Sequence, residues 1–184
     1  RKFEPSGGLL TATLNILGRI TTVANKRGGI FEDAVTTHST AEELLDTKAR
    51  SSIYQRAVAL APGIYKVDVV VRDVGTGNRG IVRMGFTVPK YEEKKLATSA
   101  LVLAAKLRPK DERDSGKQFV IGDLKIIPNL TGVFEHGQEV GVYMQIYNAG
   151  LDQTTLRPAV DVVYVLEKSG KEVLSQAEDW STIS

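Results

Sequence analysis

Few stretches of this sequence combine residue types and spacing that could do chemistry, and each has a structural reading beside it. Gly75-Thr76-Gly77-Asn78-Arg79-Gly80 fits G-x-G-x-x-G, whose glycines let backbone approach a pyrophosphate held at a helix N-terminus. Residues 81 to 88, however, alternate as a strand, with Val82, Met84, Phe86 and Val88 set among Arg83, Gly85 and Thr87, and Pro89 ends the run. Glycines between two alternating runs make a hairpin turn, not a phosphate loop. His38 and His136 are the only histidines and neither has a second ligand at i+2 or i+4, so no metal site is expected. No G-x-S-x-G elbow accompanies them, and a Ser-His-Asp arrangement has no support. Asp68, Asp73, Asn78 and Asp152 could offer oxygens to calcium, but they lack D-x-D-x-D-G spacing and read as solvated turn residues. Neither an enzyme nor a cofactor is expected.

What remains is recognition. Between Glu139 and Asn148, the residues Val140, Val142, Met144 and Ile146 form an inward row, which leaves Tyr143, Gln145 and Tyr147 on the opposite face. Aromatics with a polar handle on an exposed sheet face suit carbohydrate stacking or a protein interface. Burial of that face under a linker or a neighbouring sheet is the competing reading.

The elements that must position these residues are mostly strands. The 184 residues are 42% hydrophobic and 25% charged, an ordinary globular composition. No apolar run approaches the roughly 20 residues of a membrane span. Lys and Arg total 24 against 22 Asp and Glu and are scattered, so nucleic acid is not an expected partner. With no cysteine there is no disulfide and no thiolate metal site. Period-two alternation predicts strands near 9 to 23, 29 to 37 and 52 to 60, then a hairpin whose first arm is Tyr65-Val67-Val69-Val71 and whose second is Val82 to Val88. Ser39 to Leu45 offers a capping-box start, predicting one short helix over about 40 to 48. The polar stretch after Pro89 reads as a linker, 90 to 96, between domains 1 to 89 and 97 to 184.

The second domain opens with Ala97 to Leu107, a helix by propensity or a buried strand by length; strand is favoured. A charged loop from Arg108 to Gly116 follows, with further strands at 118 to 121, 124 to 127, 139 to 148, 159 to 167 and 172 to 176, the last two joined by a turn at Lys168 to Lys171. The first domain ends on Ala61-Pro62-Gly63-Ile64-Tyr65 leading into its strong hairpin, and the second lacks a counterpart. A second sandwich without its final hairpin would expose apolar core and an open edge, inviting a strand from elsewhere. The arm Arg1-Lys2-Phe3-Glu4, extending to Gly8, is a candidate donor. It carries no initiator Met and no apolar signal segment, the pattern of a piece of a longer product.

Pro62, Gly63 and Tyr65 resemble the corner that closes many bacterial immunoglobulin-like and fibronectin-like domains. Ser52 to Gln55, Asp68 to Asn78, Lys95 to Leu103, Gln118 to Asp123 and Tyr143 to Asn148 are similar to the tandem β-sandwich region of acidobacterial GWxTD-domain or von Willebrand-A-like exported proteins, over most of residues 9 to 170. The G-W-x-T-D motif and a D-x-S-x-S metal-adhesion motif are both missing, so no functional residue carries over. The resemblance implies an extracytoplasmic, non-catalytic protein built of two immunoglobulin-like sandwiches. Its expected partner is a protein, a second copy of itself included. The alternatives are a fibre subunit assembled by strand complementation and a carbohydrate-binding accessory module.

Overall fold

The computed structural model describes residues 1 to 114 and 118 to 179. The chain is all-β, built from antiparallel sheets, and divides into two compact units, Arg1–Lys90 and Tyr91–Ser184.

Unit 1 holds β1 (Glu4–Ser6), β2 (Leu9–Thr22), β3 (Arg27–Ser39), helix α1 (Leu44–Ala49), β4 (Gly63–Asp73) and β5 (Arg79–Val88). The strands form a single sheet in which β3, β2, β4 and β5 lie side by side. β1 extends along β2 past the end of β4, pairing Glu4 with Thr11 where β4 stops at Asp73 opposite Leu14. Alternation decides the faces. Ala12, Ile16 and Ile20 are buried on one, in register with Val71 and Val67 of β4, and β5 adds Val82 and Met84 to the same face. The opposite face carries Arg19, Asp68 and Arg83 in one cross-strand row, the Asp68 carboxylate pairing with both guanidiniums at 3.3 and 2.9 Å.

A strand near 52 to 60 was expected; residues 51 to 61 instead run without strand pairing, as a strap over the buried face. Side chains hold it in place of a ladder: the Tyr54 ring stacks on Phe31 at 6.3 Å and its hydroxyl donates to Asp33 at 3.2 Å. Gly18 lies opposite Phe31 in the register, and a side chain there would overlap the Phe31 ring. The helix starts later than its capping box suggests, because Ser39 is still the last residue of β3 and Thr40 supplies the oxygen that accepts the Glu43 N–H at 3.2 Å.

Unit 2 holds β6 (Ala97–Thr98), β7 (Val102–Pro109), a 3-10 turn (Glu112–Asp114), β8 (Val120–Ile121), β9 (Leu124–Pro128), β10 (Gly141–Tyr143), β11 (Ile146–Tyr147), β12 (Asp161–Lys168) and β13 (Lys171–Asp179). One sheet runs β10, β7, β9, β8; β11 pairs with β6; β12 pairs with β13. The Ala97 to Leu107 ambiguity resolves as strand, in two pieces. Of the expected charged loop, residues 115 and 116 lie outside the described residues.

The strand expected over 139 to 148 is also broken. Ile146 pairs with Thr98 but Tyr143 pairs with Val102, so three residues on one side face two on the other and the ladder bulges. Ser99 bridges the gap, its N–H donating to Gln145 O at 2.8 Å and its hydroxyl accepting the Gln145 N–H at 2.9 Å. Nor is the linker over 90 to 96 a bare tether. The Tyr91 ring meets Tyr147 at 4.9 Å, and the Asn148 amide donates to the carbonyls of Glu92 and Lys95 at 3.2 and 3.0 Å.

Candidate functional site

The Tyr143, Gln145 and Tyr147 face is not the platform that alternation suggests. The inward row is overturned: Val140 and Val142 are exposed, while Tyr143 is half-buried in β10. Tyr147 belongs to a different sheet, β11, where its ring is occupied by Tyr91 and its hydroxyl donates to Gln145 Oε1 at 2.8 Å. The extra residue between Thr98 and Val102 breaks the ladder between the two tyrosines and leaves them in different sheets.

The arm lies against its own unit. β1 pairs with β2, and the Lys2 N–H donates to Asp73 Oδ2 at 2.8 Å. Burial pulls the Asp73 carboxyl upward, and the N–H donors of Lys2, Gly75 and Thr76 outweigh it, holding it below the usual carboxylate range. The Arg1 guanidinium donates to Thr47 O, Arg50 O and Ser52 Oγ, fastening the end of α1 to the start of the strap. Phe3 and Glu4 follow it onto the sheet, with Glu4 already in β1. This arm is engaged within its own chain.

At the corner, Pro62 precedes the first residue of β4, Gly63, and Tyr65 turns its hydroxyl back to Ala61 O at 2.9 Å while its ring stacks on Phe86 at 5.8 Å. Tyr65 is buried, so the arrangement ties the strap's end to the sheet. The G-x-G-x-x-G stretch is the β4–β5 connection, closed by Gly77 N–H to Asp73 O at 2.8 Å, and a strand follows it. His38 sits in β3 and His136 in unit 2, and among the described residues no three His, Cys, Asp or Glu side chains gather to hold a metal.

The surface with most to offer is the hairpin of β12 and β13, reached through the two-residue turn Ser169-Gly170, both at positive φ as a type I′ turn requires. Val162, Tyr164 and Leu166 line one face with Leu174 directly opposite Leu166; Val163, Val165, Val173 and Ala177 line the other. The run Val162 to Leu166 thus has the near-continuous apolar character of a strand covered on both faces. It is exposed instead: Val163 keeps 57%, Leu166 59% and Leu174 58% of its surface open. An isolated two-stranded hairpin is marginal in water. Among the described residues neither β12 nor β13 pairs with a third strand. The outer edge of β5 is also open, with Val82 64% and Met84 59% exposed on its apolar face. Sequence reasoning placed both hairpins and anticipated an open edge in the second unit, but did not assign it to β12–β13 or to β5, because apolar alternation shows which side chains share a face and not whether anything covers it.

Comparison with protein-family models, with curated proteins and with solved structures finds no match to this chain.

Proposed function

We propose that this chain is a non-catalytic protein-interaction module, acting outside the cytoplasm and presenting open sheet edges to a protein partner. The β12–β13 hairpin carries the reading. Both its faces are apolar and exposed, and both outer backbone edges lack a strand among the described residues. A strand edge of this kind recruits another strand, the backbone supplying affinity and the alternate side chains specificity. The extracytoplasmic setting and the immunoglobulin-like character of the two units rest on the family resemblance of the corner and strand segments. In support of the latter, Tyr65 makes the backward hydrogen bond of a corner tyrosine. The carbohydrate reading has less support, since Tyr143 and Tyr147 lie in different sheets and the Tyr147 ring packs on Tyr91.

The test replaces Val163 and Val165 with Lys, on one face of the hairpin, and follows the mass of the full chain by light scattering over a concentration series. The wild type is expected to associate and the Val163→Lys, Val165→Lys variant to remain monomeric. A wild type that stays monomeric at every concentration, with hairpin amides already protected from hydrogen exchange, would overturn the reading.

A further inference from the structure

We propose that the hairpin's partner is a second copy of this chain: β13 of one molecule adds antiparallel to the outer edge of β5 in the next. This deepens the interaction reading and rests on it. Three observations select this occupant.

Charge comes first. β5 carries Arg79 and Arg83 and no acidic residue, whereas β13 carries Lys171 against Glu172, Glu178 and Asp179. The wider units are complementary as well: residues 1 to 90 have 13 Lys and Arg against 8 Asp and Glu, and residues 91 to 184 have 11 against 14, net charges of +5 and −3. Two copies therefore attract through unlike units and repel through like ones.

Orientation follows from the same charges. A parallel addition would set Arg79 beside Lys171, while an antiparallel one brings it to Glu178 and Asp179. Setting Arg79 opposite Asp179 then fixes every other position, because directly opposed residues share a face. Ile81 falls opposite Ala177 and Met84 opposite Leu174. Met84 already faces Val67 across β4, and Leu174 faces Leu166 across β12, so the join makes one apolar row, Val67, Met84, Leu174, Leu166. The same register sets Val82 opposite Gln176 and Phe86 opposite Glu172, so the Arg79–Asp179 pair and the Met84–Leu174 row are the contacts that specify it.

Length is the third point. β13 has nine residues and β5 ten, so an antiparallel join can pair the whole edge of β13, and the backbone hydrogen bonds along it supply the affinity. Because β5 and β13 are different surfaces, the contact is heterologous and generates a head-to-tail chain of molecules or a closed ring.

The absence of cysteine makes the register directly testable. Directly opposed residues of an antiparallel pair lie about 4.5–5.5 Å apart at Cα, within disulfide range. Ile81→Cys and Ala177→Cys are made separately, one of them with a mass tag, and mixed under mild oxidation. The expected product is a mixed disulfide dimer, and the variant carrying both cysteines is expected to give a ladder of covalent oligomers. Arg79→Glu should weaken association about tenfold, and Arg79→Glu with Asp179→Arg should restore it, the size expected for one well-placed ion pair. Association that persists without the mixed disulfide overturns this occupant and leaves the interaction reading standing. A double-cysteine variant that closes only within its own monomer also overturns it. No association of the wild type at any concentration overturns this occupant, and if the hairpin amides are then already protected from hydrogen exchange it overturns the interaction reading as well.

Discussion

Gly18→Ala is the sharpest test of how unit 1 is packed. Gly18 is a mid-strand residue of β2, where glycine ordinarily weakens a strand by about 0.5–1 kcal/mol relative to alanine. By propensity alone the substitution should stabilise. The structure reverses the sign: an added Cβ would lie 2.5 Å from Phe31 Cε2 and nearer still to Cζ. The ring cannot swing aside freely, because Tyr54 of the strap stacks on it and is tied by its hydroxyl to Asp33. Overpacking of this kind costs about 1–3 kcal/mol, and losing the aromatic pair adds about 0.5–1.5. Against the gain from alanine, the net destabilisation is about 1–3 kcal/mol. With a urea m-value of about 1–3 kcal/mol/M, the midpoint of unit 1 falls by about 1 M. Hydrogen exchange of the β2 and β3 peptides during the titration reads unit 1 separately from unit 2. Gly80→Ala is the control, on the same face of β5, where a Cβ meets nothing within 4 Å. If Gly18→Ala matches or exceeds the stability of Gly80→Ala, the account of the strap is wrong.

Tyr65→Phe removes the bond to Ala61 O and should cost about 0.5–1.5 kcal/mol by urea denaturation, with little change in secondary structure by circular dichroism. Asp114 is held down at about 2, first by its bond from the Arg108 guanidinium and then by the Asp111 N–H, against the upward pull of burial. Its folded carboxyl binds a proton less readily than the unfolded one, so the stability it lends unit 2 is complete above about pH 4 and is lost as pH falls toward 2. A carboxyl-carbon NMR titration should place its midpoint near 2, and a midpoint in the ordinary range near 4 would refute the pairing with Arg108. Tyr147→Ala deletes the contact with Tyr91 and should speed tryptic cleavage at Lys94 and Lys95; an unchanged rate would mean the segment is held without it. Asp68→Asn should shift stability by less than about 1 kcal/mol, since Arg19 and Arg83 are 65% and 79% exposed and such surface pairs contribute little.

The β2–β3 ladder, the β4–β5 hairpin and the β12–β13 hairpin were legible because period-two alternation and positive-φ turn residues are local properties of the chain. Ser169-Gly170 and the glycines between Asp73 and Arg79 mark turns regardless of what packs on them. The strap over 51 to 61 was not legible, because its apolar residues Ile53, Tyr54, Val58 and Leu60 look like those of a strand although no ladder forms there. The break at Met144 and Gln145 was hidden for a related reason. It arises from one extra residue between Thr98 and Val102, forty residues earlier, which shifts the partner strand's register. The tyrosine face failed with it. What the β12–β13 sequence does carry, in Val-Val-Tyr-Val-Leu, is the demand for cover on both faces, and that demand became a functional statement only once the structure left it unmet.

The central claim is that the hairpin edge is open in the single molecule and filled by association. Hydrogen exchange of the peptides covering 161 to 179, measured on the full chain at low and at high concentration, addresses it most directly. The account predicts fast exchange of the outward amides of β13 when dilute and marked protection when concentrated, with parallel protection of β5. Slow exchange of β13 already in the dilute monomer, unchanged on concentration, would contradict it.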